Sequence, residues 1–178
     1  MRKQIKLGRR QSGFTLIEVM VAIVVLLAGV IGVAQLVPAA AYLNGQNRAD
    51  SSSMVYAQRE MDEFIDQGMS TAASFTDEQG NTCNLGSTST FNTAVGNPLT
   101  TLNGHVAIDF SGSQVSGYGY YYTDPSDTTN AIYDVRWAII TNGPASGSIT
   151  SRRIILGVRK KSGDTPLLPV TLDSTVYR

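Results

Sequence analysis

From Val19 to Asn47 the chain carries no charged residue, and of the 23 residues from Phe14 to Leu36 only Thr15, Glu18 and Gln35 are clearly polar. About 20 apolar residues suffice to cross a hydrocarbon core near 30 Å thick. A run this long therefore predicts a helix whose sides are satisfied by lipid or by other helices. Glu18 is the exception inside it, because a carboxylate near a bilayer centre costs roughly 2.5–3.5 kcal/mol on insertion scales. A plain anchor has no reason to carry that residue.

The segment before the run is equally specific. Met1 to Gly13 holds five basic residues, Arg2, Lys3, Lys6, Arg9 and Arg10, and no acid. Basic flanks stay on the cytoplasmic side, which sends the C-terminal bulk across the membrane. An ordinary secretory signal places its apolar core inside the removed peptide, ahead of a small-residue cleavage site. Here the order is reversed, with Gly13-Phe14-Thr15-Leu16-Ile17-Glu18 standing between the basic residues and the apolar run.

That block resembles the class III signal of type IV prepilins and pseudopilins. The resemblance implies that a membrane peptidase, prepilin peptidase, cuts between Gly13 and Phe14 and N-methylates Phe14. Glu18 then falls at the fifth mature position. In the family this acid is thought to meet the N-terminal amine of a neighbouring subunit, here that of Phe14. Two charges that must both be buried are tolerable only as a pair. The expected organisation is a leader at 1–13, an apolar transmembrane or filament-core helix at 14–43, and a head at 44–178 that includes the amphipathic half of the helix.

Past Leu36 the pattern becomes amphipathic, and Met54, Ala57, Met61, Phe64 and Ile65 keep a helical spacing that predicts one buried stripe. One helix from about residue 14 to 67 would be roughly 80 Å long at 1.5 Å per residue. Pro38 is expected to kink it, and Gly68 to stop it. Residues 69–104 are rich in Ser, Thr, Asn and Gly and read as loop with at most a short element. Strands are predicted at His105–Phe110, Tyr118–Thr123, Ile132–Ile140, Ile149–Lys160 and Val170–Tyr177 from β-branched and aromatic content. Tyr118, Tyr120 and Tyr122 share one face of their strand. The fold class is α+β, a long helix packed on an antiparallel sheet, which is also the pilin fold that the resemblance implies.

Fourteen basic residues balance fourteen acidic ones, but losing the leader would leave nine basic residues against fourteen. A negative mature chain argues against general nucleic-acid binding. Arg152, Arg153, Arg159, Lys160 and Lys161 form a local basic cluster, read either as a solvated strand face or as a patch for a neighbouring subunit or DNA. The lone histidine, His105, and the lone cysteine, Cys83, belong to no catalytic constellation, so no enzyme is expected. Cys83 has no intrachain partner. Asp124, Asp127 and Asn130 offer oxygens at a spacing calcium accepts, although such turns more commonly serve turn chemistry alone. No metal or cofactor is expected.

The Thr15 start, the stretch Ala22 to Leu27, and the strand pair around Val135-Arg136-Trp137 and Arg153–Val158 are most similar to minor pilins of the type IV pilus modification group. The resemblance implies a structural subunit that primes or caps pilus assembly. It would sit in the inner membrane with its N-terminus cytoplasmic and its head periplasmic before entering a filament. Its partners would be the peptidase, other major and minor pilins, the inner-membrane assembly platform and the membrane itself, while a DNA or surface ligand has no support in the residues. A minor pseudopilin of a type II secretion system is the alternative. A membrane-anchored periplasmic binding module or enzyme with a pilin-like leader is the alternative of another class.

Overall fold

The computed structural model describes residues 13–125, 130–144, 147–161 and 168–178. The leader before Gly13 and the calcium candidate Asp127 lie outside the described residues. The chain divides into two compact units, with Gly45 ending the first and Gln46 opening the second.

In the first unit the apolar run is helical, as α1 (Leu16–Ala34) and the start of α2 (Leu36–Asp66). The predicted helix is present over nearly its whole length, but it is interrupted at Gln35, three residues ahead of Pro38. Pro38 has no N–H to give the Ala34 carbonyl, and its ring crowds that same carbonyl. The regular ladder therefore ends at Ala34, while Gln35 keeps helical dihedrals of φ −73° and ψ −19°.

The buried stripe of α2 differs from the predicted one. Ala57, Met61 and Phe64 are buried as expected, but Met54 and Ile65 are about 40 % exposed, and Ser53 and Glu60 are buried instead. The buried face is centred on the 53–57–60–64 row, about a sixth of a turn from the one that hydrophobicity selects. The helix ends at Asp66, and Gly68 is not a left-handed cap. A Cβ at Gly68 would lie 2.9 Å from Val176 Cγ2, and its carbonyl accepts a 2.7 Å hydrogen bond from Arg152 Nη1. Close packing accounts for this glycine.

The stretch read as loop contains short strands. β1 (Ser74–Thr76) and β2 (Thr82–Asn84) form one antiparallel hairpin, followed by β3 (Ala94–Gly96) and β4 (Leu99–Leu102). β4 pairs with β5 (His105–Ile108) in a second hairpin. β6 (Gly119–Thr123), β7 (Ile132–Asn142), β8 (Ser151–Lys160) and β9 (Val170–Tyr177) complete the strands. The main sheet is antiparallel, with β8 between β7 and β9, and with β3 and β6 end to end on the other edge of β7. Asn97 joins that junction: its Nδ2 donates to the Tyr118 and Trp137 carbonyls, and its Oδ1 accepts from the Val115 N–H. Gly96, at φ +115°, must be glycine because a Cβ would lie 2.6 Å from the Trp137 carbonyl oxygen.

Both faces of β7 and β8 are buried. On one, Ala57, Met61 and Phe64 of α2 meet Trp137, Ile139, Ile154, Leu156 and Val158, with the Phe64 ring 5.1 Å from that of Trp137. Tyr118, Tyr120 and Tyr122 pack against this cluster from one strand face, as alternation predicts. On the other, Ile108 and Phe110 cover Ala138 and Ile155. Burying each large side chain contributes about 1.5–3 kcal/mol, which makes the two-sided centre the head's main source of stability.

Candidate functional site

Gly13, Phe14 and Thr15 precede α1, and Thr15 is its N-cap in an extended conformation. The Thr15 side chain accepts a 3.3 Å hydrogen bond from the Glu18 N–H, and the Thr15 carbonyl accepts from both Glu18 and Val19. Thr-x-x-Glu is also the sequence of a capping box, a signal present in the chain that hydrophobic patterning passes over. Glu18 thus stands in the first turn, where a negative charge faces the positive end of the helix dipole. A Cβ at Gly13 would meet no atom of the described residues within 4 Å, and its backbone is not left-handed. Neither packing nor conformation requires glycine there.

Every residue of α1 is exposed, including Phe14 at 81 % just ahead of it and Ile17 at 66 %. A helix apolar on all sides needs an apolar environment all round. The helical stretch Leu16–Gly45 is long and apolar enough to cross a membrane. On it, Val25, Leu26, Gly29, Val30, Val33 and Ala34 form one exposed apolar face. A Cβ at Gly29 would meet nothing beyond its own helix within 4 Å, so this notch is open to a side chain from outside.

In the head, the other candidate residues do not converge. His105 is exposed at the start of β5, and Cys83 is fully buried on β2 as a free thiol. Burial and the nearby Asp77, Glu60 and Glu63 push that thiol well above its usual pKa, which keeps it protonated and unreactive. Asp124 accepts a hydrogen bond from the Tyr56 hydroxyl, and Asn130 adopts φ +49°. Burial, with the Asp124 carboxylate beside it, pushes the Tyr56 pKa up. Among the described residues no group of three His, Cys, Asp or Glu side chains is arranged to hold a metal.

The basic cluster is not a patch. Arg152 is fully buried and ties β8 to the end of α2 through the Gly68 and Ser70 carbonyls. Arg153 pairs with Asp173, Arg159 Nη2 lies 3.5 Å from Asp134, and Lys161 sits over the Tyr121 ring. Strand alternation sends Arg152 to the helix-covered face and Arg153 and Arg159 to the opposite one. The sequence reading also missed the buried pair beside them. Arg136 grips Asp134 with two bonds of 2.9 and 2.8 Å, while its Nη1 reaches the Gly112 carbonyl. Arg136 and Arg159 both lie over the Phe110 ring, at 4.9 and 4.7 Å. An Asp-x-Arg step inside an otherwise apolar strand is the signal that could have found this pair.

Comparison with curated proteins and with solved structures gives no match. The prokaryotic N-terminal methylation motif matches residues 8–34, covering the Gly13–Glu18 block and all of α1. With the exposed apolar helix it fits a membrane-anchored, pilin-like protein, and it implies processing by prepilin peptidase and assembly with other pilins. The chain therefore carries at its N-terminus the methylation signal of type IV prepilins and pseudopilins.

Proposed function

We propose that this chain is a minor type IV pilin, a non-catalytic subunit that primes or caps pilus assembly after cleavage between Gly13 and Phe14 and N-methylation of Phe14. The observation that carries the reading is the signal block standing directly before a helix exposed and apolar on every side. A glycine at position 13 that the fold does not demand supports recognition by an outside agent, the peptidase. The open notch at Gly29 suits side chains of neighbouring helices in a filament core. Glu18, at the start of that helix, is the group that would pair with the Phe14 amine of another subunit.

Mass spectrometry of the protein from peptidase-positive cells tests this directly. The expected mature chain begins with N-methyl-phenylalanine at Phe14, and an intact Met1 in the assembled protein overturns the reading. Glu18→Ala should be processed normally yet enter filaments poorly. Recovery of that variant in sheared filaments at wild-type level would remove the role given to Glu18. Gene deletion separates pilus from secretion pseudopilus. Loss of surface filaments supports the pilus reading, and loss of a secreted protein with filaments intact supports the other.

A further inference from the structure

The β4–β5 hairpin forms a second, two-stranded layer over the main sheet. β5 packs across β8 and reaches β7. The hairpin turns through Asn103 and Gly104, at φ +50° and +82°, the two-residue geometry with both centres left-handed. Leu102 and His105 close it, so alternation turns the N–H and C=O of Val106 and Ile108 away from β4. Among the described residues no strand pairs with that outer edge. Beyond it lies a groove of about 510 Å³, walled by His105, Val106 and Ala107 and reaching Arg153 of β8 and Thr171 and Asp173 of β9. Strands in a layer lie about 4.7–4.9 Å apart. A strand added to β5 would therefore lie over β9 as β5 lies over β8.

The groove's chemistry narrows the occupant. Arg153 Nε donates to Asp173 Oδ1 at 2.9 Å and Nη2 donates to Oδ2, which leaves Nη1 as a donor. The pair is about one-third exposed and carries no net charge. The neutral pair favours neither sign of ligand charge, whereas a hydroxyl or amide side chain can both accept from Arg153 and donate to Asp173. The unpaired main-chain edge favours a peptide over a saccharide, because strand addition satisfies donors and acceptors in register.

We propose that this groove receives an extended, uncharged peptide strand of a partner protein, paired through its main chain with the outer edge of β5 and resting hydroxyl or amide side chains on Arg153 and Asp173. The test uses the full chain in detergent micelles and phage-displayed random heptapeptides as probe, with the selected peptides then synthesised for titration. The expected peptides are free of Lys, Arg, Asp and Glu and rich in Thr, Val and Asn. Val106→Ala should leave binding nearly unchanged, whereas Val106→Pro, which removes the outward N–H, should weaken it by about tenfold or more. N-methylation of alternate peptide amides should abolish binding without touching the protein, which keeps the test decisive if Val106→Pro fails to fold. Failure to select any peptide, selection of charged peptides, or binding indifferent to peptide N-methylation would overturn the proposal.

Discussion

Glu60 lies on α2 with 1 % of its surface exposed, and neither carboxylate oxygen accepts a well-formed hydrogen bond among the described residues, the Tyr120 hydroxyl being a nearby donor. Arg59 Nη2 approaches to 3.6 Å, while Glu63 and Asp77 add negative charge nearby. Burial pushes its pKa up to about 7, with the Tyr120 hydroxyl offsetting part of the rise. A carboxyl raised in the folded state costs nothing below its unfolded pKa, costs progressively more up to about pH 7, and costs its full amount above that. Glu60→Gln should therefore raise stability at pH 8 by about 1–2 kcal/mol and change little at pH 4. Urea unfolding at the two pH values measures it, and an equal effect at both would exclude ionisation as the cause. Arg136 makes the opposite case: Arg136→Ala would take the two-bond partner from the buried Asp134 carboxylate, leaving Gln114 and the more distant Arg159, and should cost up to about 3–5 kcal/mol. Neither residue was legible as part of the core, because hydrophobic patterning assigns acids and arginines to the surface. Glu60 displaced Met54 and Ile65 from the buried stripe for a reason that lies in the packing partner. The Tyr120 hydroxyl offers the acid some compensation, and that partner comes from a strand sixty residues away.

Among elements, β7 and β8 were legible nearly to their ends, since long β-branched runs leave little alternative. Their second buried face was not. Alternation puts Arg153, Ile155, Gly157 and Arg159 on one face of β8, where the two arginines are partly exposed, yet Ile154-Ile155-Leu156 followed by Gly157-Val158 is the unbroken apolar run of a strand covered on both sides. A Cβ at Gly157 would lie 2.9 Å from Phe110 Cε2 and 3.0 Å from Ile108 Cβ. Gly157→Val should thus overpack the hairpin-covered face and destabilise the head by about 1–3 kcal/mol, as read by thermal unfolding. The covering hairpin carried its own signal, Asn103-Gly104, which is the strongest short-range mark of a two-residue turn. It was masked by the Ser, Thr and Gly around it. The helix break at Gln35 was legible in its cause, Pro38, but not in its place, because proline acts on the carbonyl four residues earlier. Pro38→Ala should make α1 and α2 continuous, with slowed amide exchange at residue 38 and carbonyl shifts at Ala34 that mark a restored helical hydrogen bond.

At the scale of the whole chain, the two units obey different solvents. In the first no residue of α1 is buried and the surface of that helix is mainly apolar, while among the described residues both apolar clusters of the head are built from residues between Tyr56 and Val176. Nothing in either cluster comes from the segment before Gln46, so the head's stability should not depend on it. The signal block and the apolar run were legible at once, because a membrane or a peptidase reads them locally. The head's architecture was legible only as a class, since its second layer and polar core depend on contacts far apart in the chain. A chain starting at Asn44 keeps the whole 53–57–60–64 face for the sheet to cover. It should be soluble without detergent, monomeric in analytical ultracentrifugation and strand-rich by circular dichroism, with one cooperative unfolding transition. Full-length protein should need detergent or lipid under the same conditions. Aggregation of the shortened chain, or a broad unfolding with no cooperative step, would mean that the apolar helix contributes to the head's core after all.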